Sequence, residues 1–261
     1  MNRGIYMKTV QIKNIVLGQG KPKICVPLMG KTDEELIKGA DDILAVAKEY
    51  NINIVEFRGD YYNNLGDLVL LKDIMKKLQD KFKDLILLFT IRSYGEGGEK
   101  LSFETPSISE INTFIVENRL ADMVDVELFS GEDICKKLAS LGKEKGVHII
   151  MSNHDFKTTP SVETMVERLR AMQTYGADIA KIAVMPETSN HVIDLLKTTA
   201  VMRDEYDETP VVAISMGRLG AISRIAGEVF GTAITFATVG EASAPGQLTA
   251  KEVNTFLNSL S

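Results

Sequence analysis

The chain has 261 residues, 44% hydrophobic and 25% charged, with a formal net charge of −6. That composition suits one globular domain with a full core, since single α/β barrels commonly run to about 250 residues. The acidic balance leaves no chain-wide basic footprint for nucleic acid, so an anionic small molecule would need a local cluster of Arg and Lys. Cys25 sits in an apolar run and Cys135 in a helical pattern, and both read as reduced, buried thiols. The start, residues 1–7, has no apolar stretch of signal-peptide length and reads as a leader or a cloning remnant ahead of Met7. No run approaches the ~18 apolar residues of a membrane span. The expectation is a soluble, cytoplasmic protein.

A first segment, 9–17, alternates Val10, Ile12, Ile15 and Leu17. It suggests a β-hairpin capping one end of the fold. Eight short β-rich runs follow, at 24–29, 54–60, 85–92, 123–129, 148–156, 179–185, 211–217 and 234–239. Segments of helical period lie between them, at 33–50, 67–80, 107–118, 131–145, 161–175, 188–206 and 218–230, with 249–260 after the last. Leu36, Ala40, Ile43, Leu44 and Ala47 form one such apolar stripe. Thr32-Asp33 and Ser161 with Glu163 look like helix starts. Eightfold alternation of strand and helix reads as parallel strands with crossover helices. Units of about 30 residues favour a closed α/β (β/α)₈ TIM barrel, here one domain over 1–261.

Active sites of such barrels lie at the C-terminal ends of the strands. Side chains alternate faces along a strand, so Glu56, Arg58 and Asp60 share a face, as do Asp125 and Glu127. The third run ends in Arg92-Ser93 followed by Gly95-Glu96-Gly97-Gly98-Glu99, and the fifth in Ser152-Asn153-His154-Asp155-Phe156. Charges inside strands are costly unless paired. This many of them on different strands favours a polar pocket over structural ion pairs. Lys181 sits mid-strand between Ala180 and Ile182. Burial and nearby arginines would lower its pKa and free a nucleophilic amine able to form an imine. The alternative is a lysine simply paired with Glu127 or Glu56. His154 ends its strand and is the natural proton carrier, or else a hydrogen-bonded strand-end histidine. His148 and His191 read as structural or surface residues. No zinc spacing is present. The 95–98 glycines lack the Gly-Lys-Ser/Thr of a phosphate loop and read as a mobile turn.

The motifs together resemble those of the type I 3-dehydroquinate dehydratases. They are Glu-Phe-Arg-Gly-Asp at 56–60, Thr-Ile-Arg-Ser at 90–93 with Glu-Gly-Gly-Glu at 96–99, Val-Asp-Val-Glu-Leu-Phe at 124–129 and Ser-Asn-His-Asp-Phe at 152–156 with Thr159-Pro160. Ala-Lys-Ile-Ala-Val-Met-Pro follows at 180–186, then Ile-Ser-Arg-Ile-Ala-Gly-Glu-Val-Phe-Gly at 222–231 and Ala-Ser-Ala-Pro-Gly-Gln at 242–247. The likeness runs in order from about residue 10 to the end. It implies dehydration of 3-dehydroquinate to 3-dehydroshikimate, the third step of the shikimate route, with no metal or organic cofactor. It implies that Lys181 forms a Schiff base with the C3 ketone, that His154 is the general acid/base, and that Glu96 orients it. Arg224 would pair with the substrate carboxylate, Glu56, Arg58 and Arg92 would grip ring hydroxyls, and Ser243 and Gln247 would reach in from a closing loop. A homodimer is also implied. Met216, Met185 and Phe236 would wall the site, or serve only as core. Arg218 has no expected catalytic role. The competing readings are a class I aldolase on the same barrel, disfavoured by the glycine-poor last loop, and a catalytically dead binding module, disfavoured by the intact Lys181, His154 and Glu96.

Overall fold

The computed structural model describes residues 8–101, 106–240 and 246–259. A two-stranded antiparallel hairpin, β1 (Val10–Ile12) and β2 (Ile15–Leu17), comes first. Eight strands follow: β3 (Lys23–Leu28), β4 (Ile52–Arg58), β5 (Ile86–Thr90), β6 (Met123–Glu127), β7 (His148–Asp155), β8 (Ile179–Val184), β9 (Val211–Ser215) and β10 (Ile234–Phe236). They pair in the order β10-β3-β4-β5-β6-β7-β8-β9, every neighbour parallel. The seam between β9 and β10 is narrow. There Val211 bridges Thr232, the Ala233 amide donates to the Val211 carbonyl at 2.8 Å, and the Ala213 amide donates to Thr232 Oγ1 at 3.0 Å. A side-chain hydroxyl thus satisfies a backbone donor where the ladder lapses. The result is a nearly closed (β/α)₈ barrel.

The connecting helices are α1 (Asp33–Ala47), α2 (Leu68–Lys81), α3 (Ile108–Glu117), α4 (Glu132–Lys145), α5 (Val162–Thr174) and α6 (Ser189–Glu205), and α9 (Ala250–Ser259) closes the order. Their starts are written locally. Thr32 accepts the Glu35 amide, Ser161 accepts that of Thr164, and Ser107 with Glu110 forms a capping box. One helix expected over 218–230 is instead two single turns, α7 (Ile222–Ile225) and α8 (Gly227–Phe230). The carbonyl of Arg224 accepts Thr235 Oγ1 at 2.7 Å, which ties the break to the last strand.

Two apolar layers flank the strands, as a parallel sheet covered on both faces requires. Outward residues such as Val26, Phe57, Phe89 and Ile149 meet the helix stripe Leu36, Ala40, Ile43 and Ala47 and its counterparts. Burying each large side chain contributes about 1.5–3 kcal/mol. Inward residues Cys25, Ile54, Leu88, Ile150, Ile179 and Val212 fill the lower barrel together with Val10, Ile12 and Leu17 of the hairpin. Lys13 in the hairpin turn donates to the carbonyls of Phe82 and Leu85 and pairs with Asp122 at 2.8 Å, at the N-terminal ends of β5 and β6. The hairpin therefore plugs the barrel bottom, and the upper interior is left to polar side chains.

Candidate active site

The strand ladders stop earlier than the apolar runs that announce them. Gly59–Tyr61, Tyr94–Glu96 and Leu128–Ser130 are 3₁₀ turns just beyond β4, β5 and β6. Asp60 and Glu96 sit on these turns, and Arg92 lies between the end of β5 and the turn that follows it, rather than within the ladder. Glu56, Arg58, Arg92, Glu96, His154, Lys181, Arg224 and Gln247 all line one cleft at the C-terminal end, open to solvent. Ser243 lies outside the described residues. Ile214, Met216, Phe156 and Phe236 form the apolar wall. Met185 does not line the cleft and packs, half-buried, against the inner apolar cluster.

At the base of the cleft, Lys181 is 3% exposed. Its Nζ lies 3.4 Å from Asp125 Oδ2 and 4.5 Å from the centre of the Phe236 ring. The ion-pair partner is therefore Asp125, not Glu127 or Glu56. Asp125 is fully sealed and also receives Ser152 Oγ at 2.6 Å, with Arg92 Nη2 2.9 Å away. Burial alone would push its carboxyl up, but Arg92 and Lys181 outweigh that and hold it below the usual range. Arg92 Nη1 donates to Glu127 at 2.8 Å and to Ser152 at 3.0 Å. Burial opposes its charge, yet Asp125, Glu127, Glu96 and Glu56 together raise its pKa.

A second clamp holds Arg58. Its Nε and Nη2 donate to the two oxygens of Asp60 at 2.9 and 2.7 Å, a bidentate pair. The same carboxylate accepts the backbone amides of Arg92 and Glu99, each at 3.2 Å. Asp60 thereby fixes both ends of the 92–99 turn that carries Glu96. Thr90 Oγ1 donates to Glu56 at 3.0 Å.

Glu96 crosses from that turn to the end of β7. Its Oε2 accepts the His154 backbone amide at 2.9 Å and lies 2.9 Å from His154 Nδ1. Two glycines make this crossing feasible. Gly97 has φ 86°, and a Cβ there would sit 2.4 Å from the Phe156 ring; at Gly98 a Cβ would meet the Arg92 carbonyl at 1.9 Å. The stretch expected as a turn is one: the 3₁₀ turn Tyr94–Glu96 followed by Gly97 in the left-handed region. Burial and the neighbouring Glu127 push the Glu96 carboxyl up to about 7. Burial, then the charges of Arg92, Lys181 and Arg58, drive His154 well below the usual histidine value. A neutral His154 that donates from Nδ1 to Glu96 would leave Nε2 as its basic atom. That pairing has the geometry a general base and its orienting carboxylate would need.

Arg224 is 2% exposed, and its Nη1 donates to the Phe236 carbonyl at 3.1 Å. Burial pushes its pKa down to about 10, so it remains a cation at neutral pH. His148 lies 3.6 Å from Asp178 at the barrel's lower end, and His191 accepts the Glu187 amide in the first turn of α6. Neither lines the cleft, and neither does Arg218. Sequence reasoning missed Asn153 and Arg168, which join the Glu96 cluster from behind.

Residues 24–261 match the family model described as type I 3-dehydroquinase. The chain belongs to that family. As a type I 3-dehydroquinase it is a hydro-lyase acting on 3-dehydroquinate in the shikimate pathway. The 3-dehydroquinate dehydratase of Clostridioides difficile strain 630 is 42% identical over 253 residues, 97% of each chain. That of Salmonella choleraesuis is 43% identical over 254 residues, 97% of this chain and 99% of the other. A crystal structure of the Clostridium difficile type I enzyme with covalently modified comenic acid superposes with a TM-score of 0.91 at 41% identity, covering 98% of both chains. The enzyme from Geobacillus kaustophilus HTA426 gives 0.92 at 34%, covering 98% of this chain and 97% of the other. No helix among the described residues is long and apolar enough to cross a membrane.

Proposed function

We propose that this dehydroquinase works through a Schiff base on Lys181, within one catalytic domain spanning the chain. The Lys181 amine attacks the C3 ketone of 3-dehydroquinate, and loss of water from the carbinolamine gives an iminium. The iminium acidifies C2, so a neutral histidine suffices as base. His154 Nε2 takes the C2 proton and returns it to the departing C1 hydroxyl, which leaves as water. Addition of water to the remaining imine releases 3-dehydroshikimate and frees the amine. Glu96 holds His154 in the tautomer that leaves Nε2 basic. Arg224 pairs with the substrate carboxylate. Glu56, Arg58 and Arg92 meet the ring hydroxyls, and Gln247 and Ser243 add polar contacts to the substrate.

The observation that carries this reading is a buried mid-strand amine sharing one cleft with a histidine whose Nδ1 is held by a carboxylate. An aldolase reading has no comparable support, since the full-length relatives are dehydratases. The relative crystallised with covalently modified comenic acid is consistent with a reactive group in such a pocket. The product is a conjugated enone, so ultraviolet absorbance follows the reaction. Lys181→Met and His154→Gln should each lose at least about a thousandfold in kcat. A Lys181→Met enzyme within tenfold of the wild type overturns the scheme.

A further inference from the structure

Behind Glu96 lies a chain of contacts that the scheme above does not use. Arg168 on α5 donates from Nη1 to Asn153 Oδ1 at 2.8 Å. Asn153 Nδ2 in turn donates to Glu96 Oε1 at 3.1 Å. Asn153 is 1% exposed and faces outward from β7, between the inward-facing Ser152 and His154. We propose that Arg168 and Asn153 are positioning residues, a relay that fixes Glu96 as an ionised acceptor against His154. The proposal rests on the acid/base reading of His154.

The argument is one of donor and acceptor inventory. A guanidinium only donates, and an ionised carboxylate only accepts. An amide placed between them has one orientation that satisfies both. Flipped, it would set donor against donor and acceptor against acceptor. Arg168 therefore decides which way Asn153 points, and Asn153 presents its N–H to Glu96. A donor on Oε1 disfavours a proton there, leaving Oε2 to accept both the backbone and the ring N–H of His154. The charges around this line are few and named. Arg92 lies 3.7 Å from Glu96, and Glu127 adds repulsion. Arg92, Lys181 and Arg58 act on His154. Arg168 itself lies 4.0 Å from Asp155 and stacks over Phe129. Burial and Glu127 work against ionised Glu96, while the Asn153 and His154 donors work for it.

The test compares Asn153→Ala, Arg168→Met and Arg168→Lys, with Arg170→Met as a same-helix control that points to solvent and Tyr206. Arg168 is 23% exposed at its side chain, so its variants leave the core filled. Asn153→Ala should lower kcat by about tenfold, leave KM within about twofold, and move the acid limb of the pH profile upward by about half a unit or more. Arg168→Met should do the same to a smaller degree, and Arg168→Lys, which still donates, should recover most of the loss. Nitrogen-15 spectra of the His154 ring should show an Nδ1–H tautomer in the wild type and a mixture in Asn153→Ala. Wild-type kinetics in both relay variants, or a lower kcat with limb and tautomer unmoved, overturns the relay. His154→Gln is assayed alongside. If it stays active, the acid/base reading fails, and the tautomer spectra still decide the relay because they need no turnover.

Discussion

Lys181 Nζ and Asp125 Oδ2 face each other at 3.4 Å, with the carboxylate wholly sealed and the lysine side chain 4% exposed. Asp125 also faces Arg92 at 2.9 Å. One carboxylate thus stands between two cations that would otherwise confront each other inside the barrel. Removing one member of a buried charge cluster leaves the others uncompensated.

Asp125→Ala should therefore cost about 3–5 kcal/mol of folding stability. Asn, which keeps a polar partner for Ser152, should cost less. Urea unfolding read by circular dichroism measures both. A loss for Asp125→Ala under about 1 kcal/mol would mean that Lys181 and Arg92 find other partners.

In the proposed scheme the Glu96–His154 pair sets the pH dependence. The Glu96 carboxyl is raised to about 7 by burial and Glu127, and the orienting role requires its ionised form. As pH falls through about 7 the pair gains a proton and kcat/KM should drop, by about tenfold per unit below the limb. His154 is driven below its ordinary value, so its own protonation falls further to the acid side. Glu96→Gln should lower the plateau and erase the limb near 7. A wild-type profile flat from pH 6 to 8 contradicts this assignment.

Arg224 tests binding apart from chemistry. A guanidinium fork meets a carboxylate with two parallel hydrogen bonds, and an ammonium cannot. Arg224→Lys should raise KM by about 10- to 100-fold, equivalent to about 1.4–3 kcal/mol, with kcat changed much less. Steady-state kinetics with 3-dehydroquinate decides it. An unchanged KM removes Arg224 from the carboxylate site.

The barrel was legible because parallel strands buried on both faces are short apolar runs, and the helices between them carry regular stripes and caps such as Thr32, Ser107 and Ser161. The site was legible where charge interrupts those runs, as at Glu56, Arg58 and Lys181, and where motifs resembled a family. Three things were not legible. The 218–230 segment has helical period, but at its break Thr235 of the following strand reaches the Arg224 carbonyl, a tertiary contact that periodicity does not show. The partner of Lys181 depends on which inward carboxylate stands beside it; strand alternation pointed to Glu127 or Glu56, and the partner is Asp125. Arg168 sits on the polar side of α5 like any solvated arginine, and only the packing of α5 on β7 brings it to Asn153.

The most direct measurement is an intact-mass spectrum of the protein mixed with 3-dehydroquinate and borohydride, followed by peptide mapping. Reduction of an imine intermediate should leave a stable adduct on Lys181, absent from Lys181→Ala. A protein that dehydrates its substrate under these conditions yet carries no adduct, or carries it on another lysine, would contradict the Schiff-base account.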